Sequence, residues 1–316
     1  MASVQGELGH ADHHCGGVRA GIGVAGFSVN PGDLLFSLGF VAVYAAFAHA
    51  NARSPVRRDP QVMFVLGATA QIVLITVIMA PLTYVTAALN LPLQDANLYA
   101  LDRMLGLDWG NYVLFVDAHP ALSGALSYAY TMIPWPIFAI PVLLAAIHHY
   151  RRLEEFTLAF GLALVVTTVI SALVPAIGTC QQIGVDPAAS SHIEPPACLD
   201  HVRDFAPVRD GALRHLNLFA LAGIVTFPSF HAASAALYAW ALWPMRWMRP
   251  LALLANGAML ASTPIDGGHY FVDLIAGLAV AVLAIVVARW ICRWMLVALP
   301  LLAGRAKYAE AAVPAE

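Results

Sequence analysis

Seven stretches of this chain carry almost no charge: 34–52, 61–94, 118–150, 156–185, 215–245, 250–265 and 267–288, the last interrupted only by Asp273. Roughly 20 apolar residues in a helix cross the hydrocarbon of a bilayer. Each stretch reaches or approaches that length, 250–265 by borrowing its flanks. The buried core of a soluble protein accounts for one or two such segments, not seven. The pattern predicts an all-α polytopic membrane protein, a bundle of about six to seven transmembrane helices. Helices are expected over 33–52, 61–89 with Pro81 as a kink, 121–148 bent by Pro134, Pro136 and Pro141, and 156–176. The three C-terminal stretches supply the remaining spans.

Residues 92–118 break the pattern. Asp95, Asp102, Arg103, Asp108 and Asp117 alternate with Leu98, Leu101, Met104, Leu105 and Trp109. This mixture predicts an amphipathic interfacial helix, with Trp109 and Tyr112 at headgroup depth. Residues 177–226 are expected as a long outer loop. Residues 1–32 have no apolar core of signal-peptide length and read as a flexible tail. The membrane domain then covers 33–298, and 299–316 is a cytoplasmic tail.

Composition agrees with this class. The chain is 60% hydrophobic and 11% charged, against about 25% charged for soluble domains. Charge distribution adds a direction. Eleven of the sixteen basic residues, from Arg53 to Lys307, fall between or after segments on one side of the implied membrane. The other side holds Arg19, Arg103, Arg203, Arg209 and Arg214. The positive-inside rule makes the first side cytoplasmic, with the amino terminus outside and the carboxyl terminus inside. Scarce Lys beside abundant Ala and Arg suggests a bacterial protein of the inner membrane. Cys180 and Cys198 share the outer loop, where a disulfide is expected and would contribute roughly 3 kcal/mol. Cys15 and Cys292 fall on opposite sides and are expected unpaired. His10, Asp12, His13, His14 and Cys15 are metal-ligand types, but a polar tail with chance histidines is the better reading.

The candidate chemistry sits at the outer ends of two late segments, in Phe227-Pro228-Ser229-Phe230-His231 and His269-Tyr270-Phe271-Val272-Asp273. Titratable groups at the edge of hydrocarbon are costly unless paired or used. Asp273 follows His269 by four residues, one helical turn on one face. There it can fix the imidazole tautomer and leave the other nitrogen free to attack. Pro228 and Ser229 place a hydroxyl and backbone N–H groups at a helix amino terminus, which favours phosphate. Ala232, Ala233, Ser234 and Ala235 after His231, and Ala276, Gly277 and Ala279 after Asp273, permit close helix packing that brings both histidines to one pocket.

These two motifs together resemble the type 2 phosphatidic acid phosphatase superfamily, over roughly residues 60–290. They are most similar to the branch that includes inositol phosphorylceramide synthase. Ala100-Leu101-Asp102-Arg103-Met104-Leu105-Gly106-Leu107-Asp108-Trp109 and Arg209-Asp210-Gly211 add to that likeness. The resemblance implies a lipid phosphatase or phosphotransferase with His269 as the nucleophile, Asp273 as its orienting partner and His231 as general acid and base. Ser229, Arg209 and Tyr270 are the expected substrate-binding residues. The expected partners are a lipid phosphate or phospholipid and the bilayer, with no nucleic acid, metal or cofactor. Two departures stand out. The family's Lys-x6-Arg-Pro motif is missing, and the chain's only lysine is Lys307. The Ser-Arg that begins the third motif is replaced by Ser262 and Thr263. An outer arginine must then take over the phosphate, and Arg209 is the first choice. A transporter or channel is the alternative class, but it expects charge near the bilayer midplane. A vanadium haloperoxidase shares the site geometry but not the spans.

Overall fold

The computed structural model describes residues 26–54, 59–179, 196–221 and 223–311. Within them the chain is almost entirely helical: α1 (Pro31–Arg53), α2 (Pro60–Ala87), α3 (Asp95–Met104), α4 (Trp109–Asp117), α5 (Pro120–Thr131), α6 (Trp135–Ala146), α7 (Tyr150–Leu173), α8 (Pro196–Asp210), α9 (Phe230–Leu242), α10 (Arg249–Asp266) and α11 (Phe271–Ala311). The helix starts have local causes. Asn30 accepts from Gly32 N, Asp59 from Gln61 N and Asp108 from Asn111 N, while Pro31, Pro60 and Pro120 occupy first-turn positions where no amide donor is needed.

Four helices are long and apolar enough to cross a membrane: Pro31–Arg53, Pro60–Ala87, Tyr150–Leu173 and Phe271–Leu296. The expected bent helix over 121–148 is two pieces, α5 and α6, meeting at 65° and able to count as a fifth span. This set fits an integral membrane protein. The lipid-type faces carry exposed Leu35, Phe36 and Phe47 on α1, and Val282, Leu283 and Val286 on α11. At the centre lies α9, whose Ala232, Ala233, Ala235, Leu237, Tyr238 and Ala241 are all buried. Around it pack α6, α7, α10 and α11, with Phe156 and Phe160 of α7 filling the core.

Several boundaries differ from the sequence expectation. α7 begins at Tyr150 rather than 156, because the charged turn is used inside the bundle. Glu155 is buried, and its carboxylate meets Arg151 at 3.3 Å, Arg152 at 3.9 Å and Arg289 of α11 at 3.8 Å. Only residues 26–32 of the expected tail are described, and they are ordered. Ser28–Val29 pairs in parallel with His215–Leu216, and Phe27 is buried. α11 runs on through the start of the expected C-terminal tail. The amphipathic stretch forms α3 and α4, and Trp109 and Tyr112 turn their polar atoms onto α10. Trp109 is buried and its indole N–H donates to Pro264 O at 2.6 Å, while the Tyr112 hydroxyl donates to Ala261 O at 2.7 Å. For Pro264 the physical reason is the end of α10, whose last-turn carbonyls have no intrahelical donors and take side-chain donors instead. Cys198 is buried and disulfide-bonded. Its expected partner, Cys180, lies outside the described residues, as does the His10–Cys15 tract.

Candidate active site

The starting amides of α9 and the first turn of α11 hold each other. Ser229 caps α9, its hydroxyl oxygen accepting from Ala232 N at 3.3 Å, and its own N–H donates to the Asp273 carbonyl at 3.0 Å. The contact needs a glycine: a Cβ on Gly277 would stand 2.2 Å from Ser229 O and 3.0 Å from the Ala232 Cβ. By this bolt the fold brings together His231, in the first turn of α9, and His269, in the turn before α11.

His269 and Asp273 form the expected pair. Nδ1 of His269 lies 3.2 Å from Asp273 Oδ2, which also accepts from Tyr270 N at 2.9 Å. Asp273 is fully buried, and its Oδ1 has no hydrogen-bond partner among the described residues. His269 stands in the turn outside the membrane-crossing helices. Burial pushes its imidazole down to about 4, against the pull of the Thr226 carbonyl. A neutral imidazole bonded through one nitrogen presents a lone pair on the other.

Two carboxylates of α3 hold this turn. Asp102 is buried and accepts from Phe271 N and Val272 N, both at 2.8 Å, capping α11 from outside its own sequence. Burial raises its carboxyl above the ordinary value, and the two N–H bonds lower it again. Asp95 accepts from Ile177 N, from Gly178 N at 2.8 Å and from the Tyr270 hydroxyl at 3.1 Å. Gly178, at φ +100°, lies so close that a Cβ would be 2.4 Å from Gly268 O, and Thr179 N donates to that same oxygen at 2.8 Å.

Residues 96–287 match the family described as the PAP2 superfamily. The chain belongs to the PAP2 superfamily. No curated protein and no solved structure matches it. Membership points to a phosphatase- or phosphotransferase-type enzyme, and PAP2 enzymes act on phosphorylated lipids.

The PAP2 departures seen in the sequence have a structural counterpart. Ser262 and Thr263 are fully buried, and both hydroxyls donate to Met259 O of their own helix. The place of the family's arginine is therefore packed core. Arg209 has partners of its own. Its Nη2 donates to Leu91 O at 2.9 Å and its guanidinium lies 5.5 Å from the Phe205 ring centroid. The other arginines of this end are engaged too: Arg103 with Asp108, Arg203 with Asp200 and Asp204, and Arg214 with Val208 O and the Phe27 ring. Residues 180–195, outside the described set, contain no Lys or Arg in sequence. Tyr270, expected at the substrate, is fully buried with its hydroxyl on Asp95.

Two site residues escaped the sequence reading. Tyr130 of α5 stacks on His231. His201 of α8 is buried with Nε2 3.3 Å from the Thr226 hydroxyl, which donates to Ala176 O, and its ring lies on Phe205. Neither role shows a local signal, because Tyr130 meets His231, and His201 meets Thr226, across a long stretch of chain.

Burial, and next the nearby His269, push the His201 imidazole down to about 4 from an ordinary 6.5. The unfolded chain therefore binds the extra proton first as pH falls. Stability from this group is complete above pH 6.5 and is lost as pH drops toward 4, by about 3 kcal/mol at the lower end. The midpoint of thermal unfolding in detergent should fall more steeply between pH 7.5 and 4.5 for wild type than for His201→Gln. Equal slopes would remove this assignment.

Proposed function

We propose that this protein is a membrane-embedded lipid phosphatase or phosphotransferase, working through a phosphohistidine at the outer membrane face. The observation that carries the reading is the joined helix ends, which set the His269–Asp273 pair beside His231 at the capped start of α9. In this mechanism the free nitrogen of His269 attacks phosphorus in line. The bond from phosphorus to the leaving oxygen breaks, and His231 gives that oxygen a proton. An acceptor hydroxyl then loses its proton to His231 and attacks the phosphohistidine, releasing His269. Asp273 holds the tautomer throughout. The Ser229 hydroxyl proton and the first N–H groups of α9 receive the equatorial oxygens. In this reading Arg209, whose Nη1 lacks a hydrogen-bond partner among the described residues, meets substrate charge away from the reacting phosphorus.

The outer-face assignment rests on arginine. Arg53, Arg151, Arg152, Arg246 and Arg249 lie at or beside the helix ends opposite the site, and Arg289 of α11 meets Glu155 together with Arg151 and Arg152. A water acceptor makes the enzyme a phosphatase. An alcohol acceptor makes it a transferase, and the likeness to the inositol phosphorylceramide synthase branch favours transfer of an inositol phosphate-like group in a bacterial inner membrane. Incubating purified protein with labelled phosphatidic acid and labelled phosphatidylinositol, with and without free inositol, tests this through the products. Labelled lipid that stays intact in every mixture removes the reading.

The imidazoles do this chemistry without a metal, so activity should persist within about twofold in excess chelator. Among the described residues no group of three or more His, Cys, Asp or Glu side chains is arranged for an ion. Loss of activity on chelation, restored by one divalent ion, would contradict this and direct attention to His10–His14.

A further inference from the structure

The two histidines of the site are held by different means. His269 has a carboxylate on one nitrogen. Neither ring nitrogen of His231 has a hydrogen-bond partner among the described residues. An imidazole has a broad, two-fold χ2 preference, so something else must set its plane. Tyr130 is the flat surface in contact with it: the ring centroids are 4.1 Å apart and the planes differ by 12°. Such stacks contribute about 0.5–1.5 kcal/mol beyond burial, enough to favour one ring orientation by about twofold to tenfold.

Tyr130 also reaches the other histidine. A Cβ on Gly267 would be 2.9 Å from the Tyr130 hydroxyl and 2.7 Å from His269 Cδ2. One residue therefore lays its ring on His231 and packs its hydroxyl at the turn that carries His269. It is itself held in place, being buried beside Asp266, which is also buried and bonded to Ser127 on the same helix as Tyr130.

We infer that Tyr130 is a positioning residue for His231, fixing the imidazole plane so that its proton is aimed at the leaving oxygen of the group held by His269. The inference rests on the phosphohistidine reading above. It predicts a leaving-group dependence that a merely structural role does not produce. An alkyl oxygen leaves poorly without a proton, whereas p-nitrophenolate leaves without one.

The test uses purified full-length protein with Tyr130→Phe, Tyr130→Leu and Tyr130→Met. The alkyl-leaving substrate is dioleoyl phosphatidic acid or phosphatidylinositol, whichever wild type turns over faster, and the aryl-leaving substrate is p-nitrophenyl phosphate. For Tyr130→Leu, kcat/KM, which reports the step in which the leaving oxygen departs, should fall at least about 10-fold on the lipid and less than about 3-fold on the aryl ester. Tyr130→Phe keeps the stack and should stay within about 3-fold of wild type on both. Tyr130→Met fills similar volume without a flat ring, so it carries the comparison should the leucine protein not fold. Equal losses on both substrates, no loss on either, or a phenylalanine variant as impaired as the leucine one overturns the inference alone. A His269→Ala protein as active as wild type, or wild type inactive on all three substrates, removes the phosphohistidine reading and this inference with it.

Discussion

His269→Ala should abolish turnover of the lipid substrate while the protein remains folded in the membrane. In the proposed mechanism the alanine removes the group that accepts the phosphoryl group, and with it the imidazole that Asp273 orients. Losing a covalent nucleophile should cost at least about 10³-fold, equal to roughly 4 kcal/mol of barrier. The fold should survive, since Asp273 Oδ2 keeps the Tyr270 N–H and α11 keeps its cap from Asp102. Product release from labelled lipid and the thermal midpoint in detergent measure the two halves of the claim. A folded variant with wild-type turnover sinks the mechanism. Asp273→Asn should be milder, about 10²-fold, because the amide preserves volume but presents a donor to His269 in place of a charge.

Gly277→Ala should be nearly as damaging, although the residue carries no chemistry. Its added methyl group would stand 2.2 Å from Ser229 O, a backbone atom that cannot rotate away. The α9 start must then move off α11, stretching the Ser229 N–H bond to Asp273 O and separating His231 from His269. Overpacking of this kind costs about 1–3 kcal/mol of stability. A displacement near 1 Å at the reacting groups costs on the order of 100-fold in rate. Gly277→Val should be worse in both respects. Gly257→Ala is the control: it lies on α10 with no atom within 4 Å of the added Cβ. There the substitution should be neutral or stabilise by about 0.5–1 kcal/mol. A Gly277→Ala protein matching wild type in both rate and midpoint would show that the two helices do not meet there.

The residues of the site divide by how far away their reasons lie. The spacing of His269 and Asp273 was readable because a helix turn makes it local. Ser229 before His231 was readable because capping is local as well. Asp95 and Asp102 were legible as charges but not in their role. Amphipathic composition describes a polar face toward water, and both carboxylates instead turn inward to backbone amides at 177–178 and 271–272. Trp109 and Tyr112 were legible as aromatic residues beside charge, but not their hydrogen bonds to Pro264 O and Ala261 O. Arg209 was chosen because Arg209-Asp210-Gly211 matches the Arg-x-Gly of the branch the chain resembles, and that match carries no information on what the guanidinium meets, Leu91 O and the Phe205 ring.

The sequence by itself determined that the protein is helical and built for a membrane, that His231, His269 and Asp273 are its candidate chemistry, and which family it resembles. Those facts rest on apolar run length and on one-turn spacing, interactions between residues a few positions apart. Only the tertiary structure decided what holds the pieces in place: α3 as the outside cap of α11, Gly277 as the seat of α9, Tyr130 as the surface under His231, and Glu155 with three arginines at the far end. A helix terminus always leaves unpaired amides and carbonyls, and that need is local. Which distant side chain meets it depends on how the helices pack, and no periodicity in the chain encodes that choice.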